Sequence, residues 1–354
     1  MNTIRSASTA ALSLLLAANA QKLSAQSIER FDEIADDLYF VGTATHNTLL
    51  LVTDEGIIMT DPLNRQFSTV LKTEIAERFG VPVRYVLYSH HHADHASGGA
   101  VWADTATFVG HENMLSQLEL PPADTPLPPE LVLLDLDGSG QLERSETHDW
   151  RGFNPTTRGA FALDPFIERI FDFYNANSDD ALSGAELERG PVVDVRPPDL
   201  TFSDELTVSL GGRTAVMIYT GTHTHTDDMS IVIFPDQSVG YLVDFISIVR
   251  PPRWISGDQP LHTWIDAIRI VEAQDFETAA PGHGAVGSSE YVTLFREYLE
   301  QLRDEVGAGI AAGESIEALQ QRIYMDEYND WISYDDFRPQ NIADMYRLLT
   351  TEGP

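Results

Sequence analysis

The chain has 354 residues, 43% of them hydrophobic, which allows a large packed core and excludes wholesale disorder. Its formal charge is -33, from 55 acidic against 22 basic residues, and a field of that sign repels nucleic acid and anionic lipid. There is no cysteine, which excludes disulfides and thiolate ligands, so any metal must be held by His, Asp, Glu, Asn or backbone oxygen.

The first 25 residues have the pattern of a secretory signal peptide. Arg5 supplies a positive start and the run from Ala10 to Ala17 an apolar core, with cleavage expected after Ala20 or Ala25. Export would put the mature protein in a bacterial periplasm or outside the cell. No apolar run is long enough to span a membrane. Short apolar runs at 38–42, 48–53 and 56–61 read as strands, and helical spacing runs from Phe67 to Phe79, stopping at Gly80. A buried strand at 83–88 leads directly into Ser89 and a histidine-rich segment. From about 115 to 198 the character changes: prolines cluster at 121–129, acidic loops follow, and strand signals vanish. Strands return at 199–210, 214–219, 230–234 and 239–244, then a helix at 261–273, a strand ending at Ala280, and helices over 289–312 and 341–350. Strands and helices thus recur in two similar halves, which predicts an α+β fold, a four-layer αββα sandwich. The expected divisions are a signal peptide at 1–25, halves at 26–120 and 197–354, and an inserted unit at 121–196.

His90, His92, Asp94 and His95 stand in the order HxHxDH between a strand and a helix. Three imidazoles and a carboxylate within six residues cannot all be core residues, and on a loop alternate side chains converge on one point. Zinc favours that donor set, and iron or manganese also accept it. The motif resembles that of the metallo-β-lactamase fold superfamily. The resemblance implies that His90 and His92 bind a first metal, and Asp94 and His95 a second. It further implies a third ligand for the first metal at His225, in the segment HTDDMSIVIFP, with His223 as a competing candidate. Asp244, ending YLVD, takes the place of the bridging carboxylate, although Val243 stands where the family usually has Gly. His283, in PGHGAVG, completes the second site. Asp61 resembles the family's buried aspartate that orients the metal loop. His91 is expected to point away from the metals and His111 to be structural. His46 reads as a turn residue, with a place lining the cleft as the alternative.

What the resemblance implies chemically is hydrolysis, in which two metals share a hydroxide and Asp94 orients the attacking water and moves its proton. No GxSxG nucleophile elbow is present. An acid at 244 resembles the glyoxalase-II-like and general hydrolase branches more than dedicated β-lactamases. Thioesters, lactones, β-lactams, other carboxylic esters and phosphate or sulfate esters all remain open. The expected partner is a small-molecule substrate, with no nucleic acid, membrane or protein partner implied.

Two acidic loops lie in the inserted unit. In DLDGSGQLERSE, Asp135, Asp137 and Ser139 take positions one, three and five, Gly140 position six, the Gln141 carbonyl position seven and Glu146 position twelve. In NANSDDALSGAE the corresponding residues are Asn175, Asn177, Asp179, the Ala181 carbonyl and Glu186, with Asp180 where Gly is usual and a left-handed turn is therefore expected. Both resemble EF-hand calcium loops, which implies one or two calcium ions, with Leu142 and Leu182 pairing the loops. Pro126, Pro128 and Pro129 crowd the entering helix of the first hand, and the span 161–174 reads as the entering helix of the second. Two other readings of the whole chain are a calcium-binding adaptor on an inactive hydrolase scaffold and an iron-containing oxidoreductase. The complete ligand set speaks against the first. The lack of any cysteine or flavin-binding partner segment speaks against the second.

Overall fold

The computed structural model describes residues 27–352 apart from 130, 147–170, 172–173, 191, 193, 222–224 and 256–259. The proposed signal peptide, His223 and most of the expected helix at 161–174 therefore lie outside the described residues; of that helix, Phe171 and Tyr174 are described and helical.

The N-terminal half builds β1 (Arg30–Ala35), β2 (Leu38–Gly42), β3 (Asn47–Thr53), β4 (Gly56–Thr60), α1 (Arg65–Arg78), β5 (Val83–Leu87), α2 (Ala93–Ala96), β6 (Thr107–His111) and α3 (Asn113–Leu118). The Asn64 side chain caps α1 by accepting from the backbone N–H of Gln66 and Phe67, which starts the helix two residues before the apolar stripe. Phe67, Leu71 and Ile75 recur on one buried face. Further along come β7 (Gln141–Glu143), β8 (Ala181–Ser183) and α4 (Gly184–Arg189), then β9 (Leu200–Phe202), β10 (Glu205–Leu210), β11 (Arg213–Tyr219), β12 (Ser230–Phe234) and β13 (Val239–Leu242). The C-terminal part adds α5 (Leu261–Glu272), β14 (Thr278–Pro281), β15 (Gly287–Ser288), α6 (Glu290–Ala311), α7 (Ile316–Arg322) and α8 (Tyr334–Glu352).

Two large sheets result. One runs in the order β1-β2-β3-β4-β5-β6-β9, antiparallel up to β4 and parallel from β4 to β9. The other runs β10-β11-β12-β13-β14-β15, with β13 and β14 parallel. Alternate residues of the central strands face opposite layers, as the two-residue strand period requires. Leu49 and Leu51 of β3 meet Val232 and Phe234 of β12 between the sheets, while Leu50 faces α1. Ile231 and Ile233 face the other way, onto Trp264, Ile268, Phe295 and Leu302 of α5 and α6. Helix, sheet, sheet and helix are stacked, which is the expected αββα sandwich.

Three expectations change. The single strand expected at 199–210 is two strands in different sheets: the chain turns at Ser203 and Asp204 and crosses over, with Phe202 O accepting from Glu112 N and Asp204 O from Tyr219 N. α8 starts seven residues before the predicted 341 and runs through Pro339. Burial of Tyr334, Ile342 and Met345 against α6 outweighs the N–H that the proline lacks. Strands absent from the reading of the inserted unit are present as β7 and β8, whose three residues each are too few for an alternation signal.

Candidate metal centre

The HxHxDH segment leaves the end of β5 and is held by a buried carboxylate. Asp61, at the end of β4, is fully buried. Its Oδ1 accepts from Ser89 N at 2.8 Å, and its Oδ2 from Ser89 Oγ at 2.7 Å and from the Tyr241 hydroxyl at 3.2 Å. The same Oδ2 lies 3.3 Å from His95 Nδ1. One acid thus fixes the start of the loop and turns the His95 ring so that Nε2 faces the cleft. On the far side, His283 donates Nδ1–H to Thr45 O at 2.8 Å, which leaves its Nε2 as the free lone pair.

Two groups of donors converge. Atoms of His90, His92, His225 and Asp244 all lie within 4.8 Å of one another, and so do atoms of Asp94, His95, Asp244 and His283. Asp244 belongs to both. Its Oδ2 is 3.0 Å from His95 Nε2, 3.6 Å from His225 Nε2 and 3.8 Å from His90 Nε2, and its Oδ1 is 3.2 Å from His283 Nε2. His90 Nε2 approaches His225 Nε2 to 3.2 Å, and His95 Nε2 approaches His283 Nε2 to 3.3 Å. Ring nitrogens aimed at one another this closely fit a divalent cation that takes up both lone pairs.

The electrostatics of the two cups differ. Burial and the neighbouring rings hold His90 well below the ordinary imidazole value; burial and His225 bring His92 down to about 3; burial also lowers His225. These are neutral imidazoles, the form that binds a cation. Burial would lower His95 and His283 too, but Asp244 and Asp94 outweigh it and raise both. Burial would raise the carboxyls of Asp94 and Asp244, yet the histidines hold both well below the usual range.

The backbone has been shaped for this arrangement. Asp244 has φ 59°, in the left-handed region. Val243, which stands where the family usually has Gly, buries its side chain between the sheets. A Cβ on Gly282 would stand 2.8 Å from Val243, 2.9 Å from His95 and 3.0 Å from Asp244 Oδ1, so only glycine lets the His283 turn come this close. Asn47, which the sequence reading missed, donates Nδ2 to Pro281 O, Gly282 O and Gly284 O, and so pins that turn to β3. An asparagine opening a strand carries no signal of that role in the sequence.

The other histidines sort as follows. His46 sits in its turn and also lines the cleft, the alternative reading: its Nε2 is 3.2 Å from Asp94 Oδ2 and its ring 4.5 Å from that of His283. His91 turns away, with Nδ1 2.9 Å from Asp228 Oδ1. His111 is structural, stacked 3.8 Å from the Tyr219 ring and donating Nε2–H to Ser203 O.

In the inserted unit, β7 and β8 pair the two acidic loops with Leu142 opposite Leu182, both fully buried. Oxygens of Asp135, Asp137 and Glu146 lie within 4.8 Å of one another. Ser139 N donates to both aspartates, Ser139 Oγ to Gln141 O, and Glu146 accepts from Leu136 N and Glu143 N. In the second loop Asp179 N donates to Asn177 Oδ1, Ala181 N to Asp179 Oδ1, and buried Glu186 accepts from Ala176 N and Ser183 N. The left-handed residue here is Ser178, φ 61°, instead of the expected Asp180. Asp180 is occupied otherwise: its carbonyl accepts Arg144 N and its carboxylate pairs with the Arg144 guanidinium. Asn175, at position one, is 7% exposed, and its Oδ1 has no hydrogen-bond partner among the described residues.

The sequence pattern of the Metallo-beta-lactamase superfamily matches residues 41–283, and the chain belongs to that superfamily. Among solved structures it is similar to a metallo-beta-lactamase from Pontibacter korlensis, with a TM-score of 0.50 and 16% identity over 77% of this chain and 99% of that one. It is also similar to the stereoselective inverting sec-alkylsulfatase Pisa1 from Pseudomonas sp., with a TM-score of 0.57 and 14% identity over 90% of this chain. The chain spans 50% of that sulfatase's length. At such identities the likeness is one of fold. No match was found among curated proteins.

Proposed function

We propose that the chain is a two-zinc hydrolase of small molecules, acting on a carbonyl-type substrate such as a thioester, lactone, ester or β-lactam. The observation that carries this is the sharing of Asp244 between two complete donor groups. Two cations held by these groups would lower the pKa of bound water from about 15.7 toward roughly 7 and polarise the scissile group. Asp94, lowered by its histidine neighbours and partly exposed to the cleft, is the group that orients water and carries its proton to the leaving group. Asp61 and Thr45 O keep His95 and His283 in the tautomers that present Nε2. Iron or manganese fit the same donors, and metal analysis separates them. The fold likeness to a sulfatase adds sulfate esters to the substrates worth testing.

Residues 121–196 are proposed as an EF-hand pair set between two halves of the sandwich, 26–120 and 197–354, holding structural calcium. Leu142 facing Leu182, the converging first loop and the partnerless Asn175 Oδ1 support this. The pattern of the first 25 residues supports export to the periplasm or the exterior.

The test is turnover by the zinc-loaded protein of chromogenic thioester, lactone, carboxylic ester, sulfate ester and β-lactam substrates, alongside Asp94→Asn. Hydrolysis that collapses in the variant is expected. Turnover equal in the two proteins, or none with any of these substrates at two bound metals, would overturn the reading.

A further inference from the structure

A short turn, residues 43–46, joins β2 to β3 and reaches the second cup. Thr43 N donates to His46 O at 2.9 Å, and His46 N donates to Thr43 Oγ1 at 3.1 Å, which closes the turn. A Cβ on Gly42 would stand 2.4 Å from His46 O, so the chain folds back this tightly only after glycine. Two contacts with the cup follow. Thr45 O takes the Nδ1–H of His283, and His46 Nε2 lies 3.2 Å from Asp94 Oδ2. The His46 ring stands edge-on to that of His283, with centroids 4.5 Å apart and planes at 64°, and its centroid is 5.8 Å from that of His95. His46 is nonetheless not one of the four donors of that cup, which are Asp94, His95, Asp244 and His283.

Asp94 is the member of the cup that its surroundings enclose least. Its side chain is 38% exposed, against 28% for His283, 7% for Asp244 and 0% for His95. It lies on α2, a helix of four residues. Among the described residues its carboxylate makes one hydrogen bond, the one with His46. The oxygen used is Oδ2, which lies 3.6 Å from His95 Nε2 and 3.7 Å from His283 Nε2 and so faces the cup. A carboxylate only accepts, so His46 carries its proton on Nε2, and the neutral ring accepts at Nδ1 from the Thr45 hydroxyl, 2.7 Å away. The turn therefore fixes the ring, the ring fixes one oxygen of Asp94, and Oδ1 is left without a protein donor.

We propose that His46 is a positioning residue for the reaction: its Nε2–H holds Asp94 Oδ2 toward the second cup and leaves Oδ1 to the attacking water. The inference rests on the two-metal reading of the cups. Asp94 has to bind a cation and to take a proton from water, and both require one orientation of its carboxylate. An exposed aspartate visits several rotamers, and ordering it costs side-chain entropy. A hydrogen bond from a ring that is itself held removes that freedom before a cation arrives. The same turn thereby steadies both of the more exposed ligands of one cup, His283 through Thr45 O and Asp94 through His46.

The experiment measures the stepwise zinc affinities of the full chain by competition against a chromophoric chelator, in wild type, His46→Ala, His46→Gln and His46→Asn. One of the two zinc constants should weaken about 10–100-fold in His46→Ala, and the other should stay as in wild type. His46→Gln puts an amide N–H where Nε2 stood and should restore the affinity. His46→Asn puts its amide near the position of Nδ1, out of reach of Asp94, and should not. In an Asp94→Ala background His46→Ala should cost nothing further, because the partner through which it acts is gone. Zinc affinities of His46→Ala equal to those of wild type, a His46→Gln no better than His46→Asn, or the same loss in the Asp94→Ala background would each overturn the role of His46 and leave the hydrolase reading intact. A wild type that binds a single zinc would overturn both.

Discussion

His91, the histidine of the run that turns away from the metal cups, lies with Nδ1 2.9 Å from Oδ1 of Asp228, and both residues are buried. The pair joins the loop that carries His90 and His92 to the loop that carries His225, so the first cup depends on a contact neither of whose members faces a metal. Asp228→Asn keeps the shape and removes the charge. It should weaken binding of the first metal by about 10–100-fold, the usual effect of removing an outer partner. Competition against a chromophoric zinc chelator reads this directly, and unchanged affinity would show that the loops need no such tie.

Asp61→Ala should act on the other cup. It strips Ser89 N and Ser89 Oγ of their acceptor and removes the carboxylate 3.3 Å from His95 Nδ1. Leaving buried donors unmatched costs about 1–3 kcal/mol each, so a lower Tm and loss of the second metal are both expected. A variant as stable as wild type and holding two metals would contradict the place assigned to Asp61.

Acidification should empty the cups in order. In the metal-free protein His95 and His283 are raised above the ordinary value of about 6.5, so protons compete for them from above that pH downward. His90, His92 and His225 are lowered and stay neutral through the same range. As pH falls from 8 to 5.5, about two bound metals should become about one before any further loss. Simultaneous release of both, followed by metal analysis after dialysis, would contradict the asymmetry.

Leu142→Ala empties a position between β7 and β8 that faces Leu182, in a cluster completed by Leu127, Leu131, Phe171, Tyr174 and Leu187. Truncating a buried leucine costs about 2–5 kcal/mol, and here the loss falls on the two acidic loops together. Calcium should raise the Tm of the wild-type protein, and the variant should need more calcium for the same rise. No response of either protein to calcium would remove the EF-hand reading.

Of the seven histidine and aspartate positions of the two cups, His90, His92, Asp94 and His95 were legible from their spacing after an apolar run, and His225, Asp244 and His283 only through the family resemblance. What surrounds them was not. Asn47, Gly282 and Asp228 act through long-range backbone and side-chain contacts, and no local pattern distinguishes them from ordinary strand, turn and loop residues. The sandwich followed from apolar periodicity, but β1, with its polar sequence, and α7, seven residues capped by Ser315, carried too little period to be read. The split between β9 and β10 was hidden because a strand that changes sheets keeps its alternation on either side of a two-residue turn.

The most direct measurement is the metal content of the purified protein and of Asp244→Asn, by mass spectrometry after removal of loosely bound ions. Calcium is counted separately from transition metals. Two equivalents of transition metal in the wild type, falling to one or none in Asp244→Asn, are predicted, because one carboxylate serves both cups. A wild type that holds a single equivalent, or a variant that keeps two, would contradict the account.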